Sequence, residues 1–350
     1  KVSFIADIQA EYAKAANAHL RAEEDKKRLS LSAARANAFK ADWDVYTAPV
    51  PSFLGTKVFE DFDLATLAEY IDWTPFFQTW ELKGRYPAIL EDERQGEAAR
   101  QLFGDAQAML KQIIEEKWFK PRAVVGFWPA NAVGDDIRLY TDEGREEELA
   151  TLFTLRQQLS KRDGKPNMAL SDFVAPLEGG KPDYLGAFVV TAGVEEVAIA
   201  SRFEKQNDDY SAILVKALAD RFAEALAEMM HARVRREFWG YGADETQTPE
   251  ELAQETYRGI RPAPGYPAQP DHTEKTTLFR LLDAEKNTGV TLTESFAMWP
   301  GSSVSGFYYA HPDAYYFGVA KVERDQVLDY AARKGMKLEE VERWLGPVLN

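Results

Sequence analysis

The run Arg261-Pro262-Ala263-Pro264-Gly265-Tyr266-Pro267 places one guanidinium and one phenol on a stretch that cannot be helix. Its three prolines fix φ and remove N–H groups. Gly265 permits a conformation or a close approach that other residues resist. The few remaining N–H and C=O groups of this stiff ribbon are expected to face outward, toward a ligand. Arg261 offers a planar fork suited to a carboxylate. The plainer reading is a rigid surface loop whose arginine pairs with a local acid. Asp72 lies among the aromatics of Tyr70-Ile71-Asp72-Trp73-Thr74-Pro75-Phe76-Phe77, where an ionised carboxylate is costly unless a cation meets it. It suits an ammonium group; alternatively it caps a helix end or pairs with an arginine. Tyr315 and Tyr316 begin an expected strand, so only one of them can face a given pocket directly. Ordinary strand aromatics are the plainer reading there too. A fork, an acid and flanking aromatics together describe an amino-acid-like ligand, but only the fold can bring such distant residues together.

Other chemistries fail on spacing. Gly240-Tyr241-Gly242 follows a helix rather than a strand, and Glu245 stands where the third glycine of a dinucleotide loop belongs. It reads as a helix C-cap. Asp283 to Glu294 imitates a calcium loop, but Thr288 occupies the position that demands glycine. His19, His231, His272 and His311 show no H-x-x-x-H spacing, and His272 reads as capping the helix it precedes. With no cysteine there is no disulfide, zinc–thiolate site, iron–sulfur cluster or thiol nucleophile.

The elements that must position the ribbon follow from composition and periodicity. The chain has 350 residues, 45% hydrophobic and 28% charged, enough to bury a sizeable core. Its net charge of −15 argues against a nucleic-acid or anionic-membrane partner. No apolar run approaches a membrane span, and no secretory pattern opens the chain, so a cytoplasmic location is expected. Residues 1–34 read as a helix running into a charged linker, and the chain, starting at Lys1, reads as a module of something longer. Helices are expected over 63–70, with Asp61 or Asp63 as cap, over 97–118, over 209–238 and over 274–285. Two more follow, split by Gly335 and broken by Pro347. Strands are expected over 123–127, 136–140 and 184–191, the first two joined by a loop holding Pro129, Asn131 and Gly134. Residues 303–309 and 315–322 read as a hairpin. No βαβ rhythm appears, so the class is α+β with a largely antiparallel sheet.

At the ribbon the sequence resembles a known family. Gly259 to Pro267 with His272-Thr273-Glu274-Lys275 resembles the C-terminal activation domain of cobalamin-dependent methionine synthases, as does Tyr70 to Phe77. So do Asp172-Phe173-Val174-Ala175-Pro176, Leu292 to Pro300, and Gly335-Met336 with Glu342-Arg343-Trp344-Leu345. The resemblance covers residues 35–350; residues 1–34 resemble the end of the preceding cobalamin-binding module and its linker. It implies a C-shaped, helmet-like domain with a twisted antiparallel sheet and no Rossmann fold. It implies binding of S-adenosylmethionine and repair rather than the main methyl transfer to homocysteine. When the carried cobalamin is oxidised to its cob(II)alamin form, such a domain caps it. The domain supplies a methyl group while a flavodoxin-type protein delivers one electron. The sulfonium is already activated, so the protein's contribution is positioning, with no catalytic acid or base.

The resemblance further implies that Asp72 meets the α-ammonium of S-adenosylmethionine and Arg261 its carboxylate. Ala263, Gly265 and Tyr266 would add backbone or stacking contacts, and Tyr315 and Tyr316 would line the pocket. Zinc would sit only on a distant module. Gln269 departs from relatives that have cysteine there. The isolated chain is not expected to turn over alone. A non-catalytic S-adenosylmethionine-binding regulatory module, or a plain interaction domain, are the competing readings. Asp220, Glu224 and Glu228 form an acidic row at i, i+4 spacing, followed by Arg233, Arg235 and Arg236. This charge is read either as a face for the cobalamin module or electron donor, or as a solvated helix with Lys216–Asp220-type pairs.

Overall fold

A computed structural model of the chain describes residues 27–60, 62–161, 164–252, 254 and 256–350. The expected N-terminal helix lies outside these residues. The first described helix, Leu31–Ala36 (α1), is capped by Ser30, whose side chain accepts from Ala33 N–H. Leu31 N–H donates to Asp325 at 2.6 Å, and Arg35 meets Asp135 and Asp329, each at 2.7 Å. The expected boundary between residues 34 and 35 therefore falls inside a helix docked on the domain body.

The sheet is organised on one long strand. Arg122–Val133 (β2) runs straight through the expected loop, and the turn comes only at Gly134, in left-handed conformation, before Asp136–Tyr140 (β3). Pro129 is tolerated in this strand for a positional reason. Gly55–Phe59 (β1) pairs with residues 123–127, and β3 pairs with residues 130–133 on the same side. Pro129 falls in the gap and faces only Tyr184 of Asp183–Thr191 (β5). Glu148–Phe153 (β4) adds beyond β3, and Ser303–Tyr308 (β8) adds beyond β5, all antiparallel in an open order β4-β3-β2-β5-β8. A small ladder, Thr291–Leu292 (β6) with Met298–Trp299 (β7), stands apart.

Strand alternation feeds two cores. Ala123, Val125, Phe127, Phe188, Val190 and Tyr308 face one layer. It is made by Leu64–Ala68 (α2), Thr74–Thr79 (α3), Gly96–Glu116 (α4), Glu195–Glu204 (α5) and Asp209–Arg233 (α6). Val124, Trp128, Leu185, Val189, Phe307 and Tyr309 face the other core, with Leu278 and Leu282 of Glu274–Leu282 (α8). Covered on both faces, the central strands read as nearly unbroken apolar runs. Asp63 does cap α2, accepting from Thr66 N–H at 2.9 Å. Helix α6 opens on Asp208 as cap and continues through a π turn, Val234–Phe238; Gly240, left-handed, follows it as the C-cap reading requires. Pro249–Leu252 (α7) is one turn. The expected helix over 274–285 stops at Leu282 because Asp283 is left-handed, and Ala284–Thr288 (α9) restarts it.

The expected hairpin does not form. Residues 315–322 make no ladder with β8, and Ala320, left-handed at φ of 59°, breaks the run that a strand there would need. The proline-rich ribbon takes that edge instead. Ile260 and Tyr309 exchange both backbone hydrogen bonds, at 3.1 and 3.0 Å, and Phe307 N–H donates to Pro262 O at 2.9 Å. Gly306 makes the approach possible: a Cβ there would stand 2.8 Å from Pro262 O. The C-terminal helices Arg324–Lys334 (α10) and Leu338–Leu345 (α11) are separated at left-handed Gly335, as expected.

Candidate functional site

The ribbon leaves β8 after Pro262, and a cleft of about 730 Å³ opens there. Ser303, Val304 and Ser305 of β8 form its floor, and Ala263, Tyr266 and Pro267 one wall. Asp220 and Glu224 of α6 form another wall, and Lys275, Met298, Tyr316 and Phe317 complete the lining. That volume lies in the range of small-molecule sites.

Arg261 links the ribbon to α6. Its Nη2 meets Glu228 at 2.9 Å, and Nη1 stands 3.9 Å from Glu224. Burial works against its charge, yet Glu228, then Tyr257 and Glu224, hold the guanidinium above its ordinary pKa. Its Nε has no hydrogen-bond partner among the described residues. Arg261 thus pairs with acids of α6, distant in the chain rather than local to the ribbon, and it also lines the cleft. The acidic row is the ribbon's counter-charge as well as a helix face. Lys216 pairs with Glu204 rather than Asp220, whose partner is Arg221 at 2.5 Å. Behind the pair, His231 is buried, stacked on Tyr308 with centroids 5.2 Å apart. Burial, with Arg235 and Arg261 nearby, holds its pKa well below that of an ordinary histidine.

The ribbon's backbone is mostly consumed inside the fold, against the expectation that it faces a ligand. Gly265 N–H donates to Gln269 O at 2.7 Å, Tyr266 N–H to Ala263 O at 3.1 Å, and Gln269 N–H to Tyr266 O at 2.9 Å. Pro267 O accepts from Val319 N–H at 2.8 Å. The prolines could not supply such N–H groups, so every available one is valuable to the turn. Gly265 has φ of 96°, and a Cβ there would collide with the His272 ring at 2.3 Å. It shapes the turn without lining the cleft.

The remaining expected residues divide. Ala263, Tyr266 and Tyr316 line the cleft with Arg261. Tyr316 Oη accepts the Arg261 backbone N–H at 3.0 Å. Tyr266 is 62% exposed at the mouth; burial of its hydroxyl, then Glu224 and Asp220, raise its pKa. Tyr315 turns away, edge-on to Phe173 at 6.1 Å, so one tyrosine of the two faces the cleft. Asp72 is exposed outside the cleft lining, and its Oδ1 accepts from Thr74 N–H at 2.9 Å at the head of α3, which packs on α6. His272 does not cap α8. Asp271 accepts from Thr273 N–H and Oγ1 there, both at 2.8 Å, while His272 Nδ1 lies 3.1 Å from Lys275 Nζ. Lys275, Ser305, Met298 and Phe317 were not legible as site residues. No group of three or more metal-ligating side chains occurs among the described residues, and no described helix is long and apolar enough to cross a membrane.

Two comparisons bear on this geometry. A family model described as vitamin B12 dependent methionine synthase, activation domain, matches residues 63–335. A crystal structure of the MetH reactivation domain bound to AdoHcy superposes with a TM-score of 0.89 at 57% identity, covering 92% of this chain and 99% of that one. The mixed architecture with its open antiparallel sheet is that of the reactivation domain. With the match spanning most of the chain, this protein belongs to the activation domains of vitamin B12 dependent methionine synthases.

Proposed function

We propose that the cleft between the ribbon, β8 and α6 binds S-adenosylmethionine and presents its methyl group to the cobalamin of a neighbouring module. One observation carries this reading: a single cleft joins an arginine fork, a row of carboxylates and an aromatic-lined end. The AdoHcy bound by the similar reactivation domain is the demethylated product of that donor. The Arg261 fork suits the ligand carboxylate. Glu224 and Asp220 suit its cationic groups, the sulfonium and the ammonium. Asp72, which stands outside the cleft lining at the head of α3, is the second ammonium candidate because the family resemblance assigns it that role.

A cobalamin reduced by one electron would supply the nucleophile for the sulfonium methyl, and the thioether would leave with the S–C bond electrons. No proton needs to move, so the chain's residues bind and orient. A flavodoxin-type protein is the proposed electron donor, and the site of action is the cytoplasm. Calorimetric titration of S-adenosylmethionine into this chain, into Asp72→Asn and into Glu224→Gln tests the reading. Saturable binding weakened by either substitution supports it and assigns the ammonium partner. No saturable binding to the folded parent rejects it. Methylation of added cob(II)alamin in the presence of a reductant then separates a reactivation domain from a purely regulatory ligand sensor.

A further inference from the structure

Lys275 is an unusual cation in this molecule. It is 7% exposed, and no carboxylate lies within ion-pair distance of it among the described residues. The other buried cations, Arg156, Arg221 and Arg235, each face at least one acid. Its ammonium is held instead by two neutral acceptors, His272 Nδ1 at 3.1 Å and Phe296 O at 3.0 Å. An ammonium carries three donors, so one is left over. Burial lowers the lysine's pKa, with no acid opposing it. A buried cation without a counter-charge is costly, and this one lines the ligand cleft.

A second polar group points the same way. Ser305 is 2% exposed, lines the same cleft, and its Oγ has no hydrogen-bond partner among the described residues. It shares a strand face with Phe307, which packs into the core that holds Leu278 of α8. Lys275 belongs to that same helix. The two groups thus serve the end of the cleft away from the acidic row. His272 supplies the landmark, since its ring lies against Gly265, at the turn end of the ribbon, while Arg261 stands at the sheet end. The apolar part of the cleft lining includes Pro267, Ala268, Met298 and Phe317. An apolar slot with one cationic donor and one hydroxyl fits a flat ring bearing lone-pair acceptors, and leaves the charged end of a ligand to Arg261 and Glu224.

Resting on the reading that the cleft takes S-adenosylmethionine, we propose that Lys275 and Ser305 are its base-recognising residues, Lys275 donating to a ring nitrogen of the adenine. The test is calorimetric titration of S-adenosylhomocysteine and its 1-deaza, 3-deaza and 7-deaza analogues into the parent chain, Lys275→Met and Ser305→Ala. Each deaza compound replaces one ring nitrogen with C–H. One analogue should bind the parent about tenfold more weakly than S-adenosylhomocysteine, the scale of a lost charge-assisted hydrogen bond. K275M should bind S-adenosylhomocysteine about tenfold more weakly and no longer distinguish that analogue from it. S305A, which breaks no side-chain hydrogen bond among the described residues, should weaken binding severalfold with an unchanged melting temperature. Parent-like affinity in both variants overturns the proposal. So does a loss in K275M that leaves the analogue preference intact, which marks a structural lysine. Failure of the folded parent to bind S-adenosylhomocysteine instead rejects the ligand reading itself.

Discussion

Arg261 pairs with Glu228 and is the proposed fork for the ligand carboxylate, and each role has a measurable consequence. Its contact with Glu228 is enclosed on both sides, with side-chain exposures of 15% and 12%. Removing the guanidinium leaves a partly desolvated carboxylate without its cation. Arg261→Ala should therefore cost about 2 kcal/mol in urea unfolding, less than a wholly buried pair because both groups still touch solvent. It should also abolish S-adenosylmethionine binding. Arg261→Lys should recover much of the stability but little of the binding, since an ammonium cannot form the planar fork. Equal recovery of both would show that charge alone matters there. Glu224 offers a second test. On the proposed reading its carboxylate would favour the sulfonium donor over the neutral thioether product, so Glu224→Gln should shrink the affinity ratio between them severalfold. An unchanged ratio would place the sulfonium elsewhere. The type of Arg261 was readable from the sequence because proline on its C-terminal side excludes helix. Its partner was not, because Glu228 lies 33 residues away on another element.

At the scale of elements, the site exists because a proline-rich segment replaced a strand. Residues 315–322 have the alternation of a hairpin partner, but the edge of β8 goes to Ile260–Pro262. Two features decide this. Gly306 opens the edge to close approach, and the ribbon's prolines stop it from continuing the ladder, so it peels away and leaves the cleft. Gly306→Ala should push the ribbon outward. Hydrogen exchange at Phe307 and Tyr309 N–H should accelerate and ligand affinity fall, while protection along β2 and β5 stays as it was. Loss of protection throughout the sheet would mean that the glycine serves the core instead. Helix α6 was legible because its apolar stripe is long. Which partner its acidic row faces was not, because periodicity identifies a buried face and is silent about what a polar face meets.

Across the whole molecule, buried charge ties the C-terminal helices to the ribbon and the sheet. Lys334 bridges Asp271 and Glu274, both at 2.5 Å, and Arg333 joins Asp136 and Asp329. Burial pushes Glu274 up to about 7, against the pull of Lys334, and burial pushes Asp183 up to about 7 as well. Both folded-state values lie above those of exposed carboxyls. Between about pH 4 and 7 the native state therefore binds more protons than the unfolded chain. Stability from these groups is full below that window and is lost as pH rises through it. Urea unfolding between pH 5 and 8 should show that decline, and Glu274→Gln, which cannot ionise, should flatten it. A slope identical in the variant would assign the proton uptake to other groups.

By itself the sequence determined the class, the long helices, the non-helical ribbon and the family, because these rest on local periodicity, proline geometry and long contiguous motifs. Four residues of the expected set, Arg261, Ala263, Tyr266 and Tyr316, do meet in one cleft. Only the tertiary structure decided that Asp220 and Glu224 complete it, that Tyr315 turns away, and that Lys275 and Ser305 reach it from a helix and a strand. A cleft is made where elements distant in the chain fail to fill the space between them. No property of a single segment records that gap.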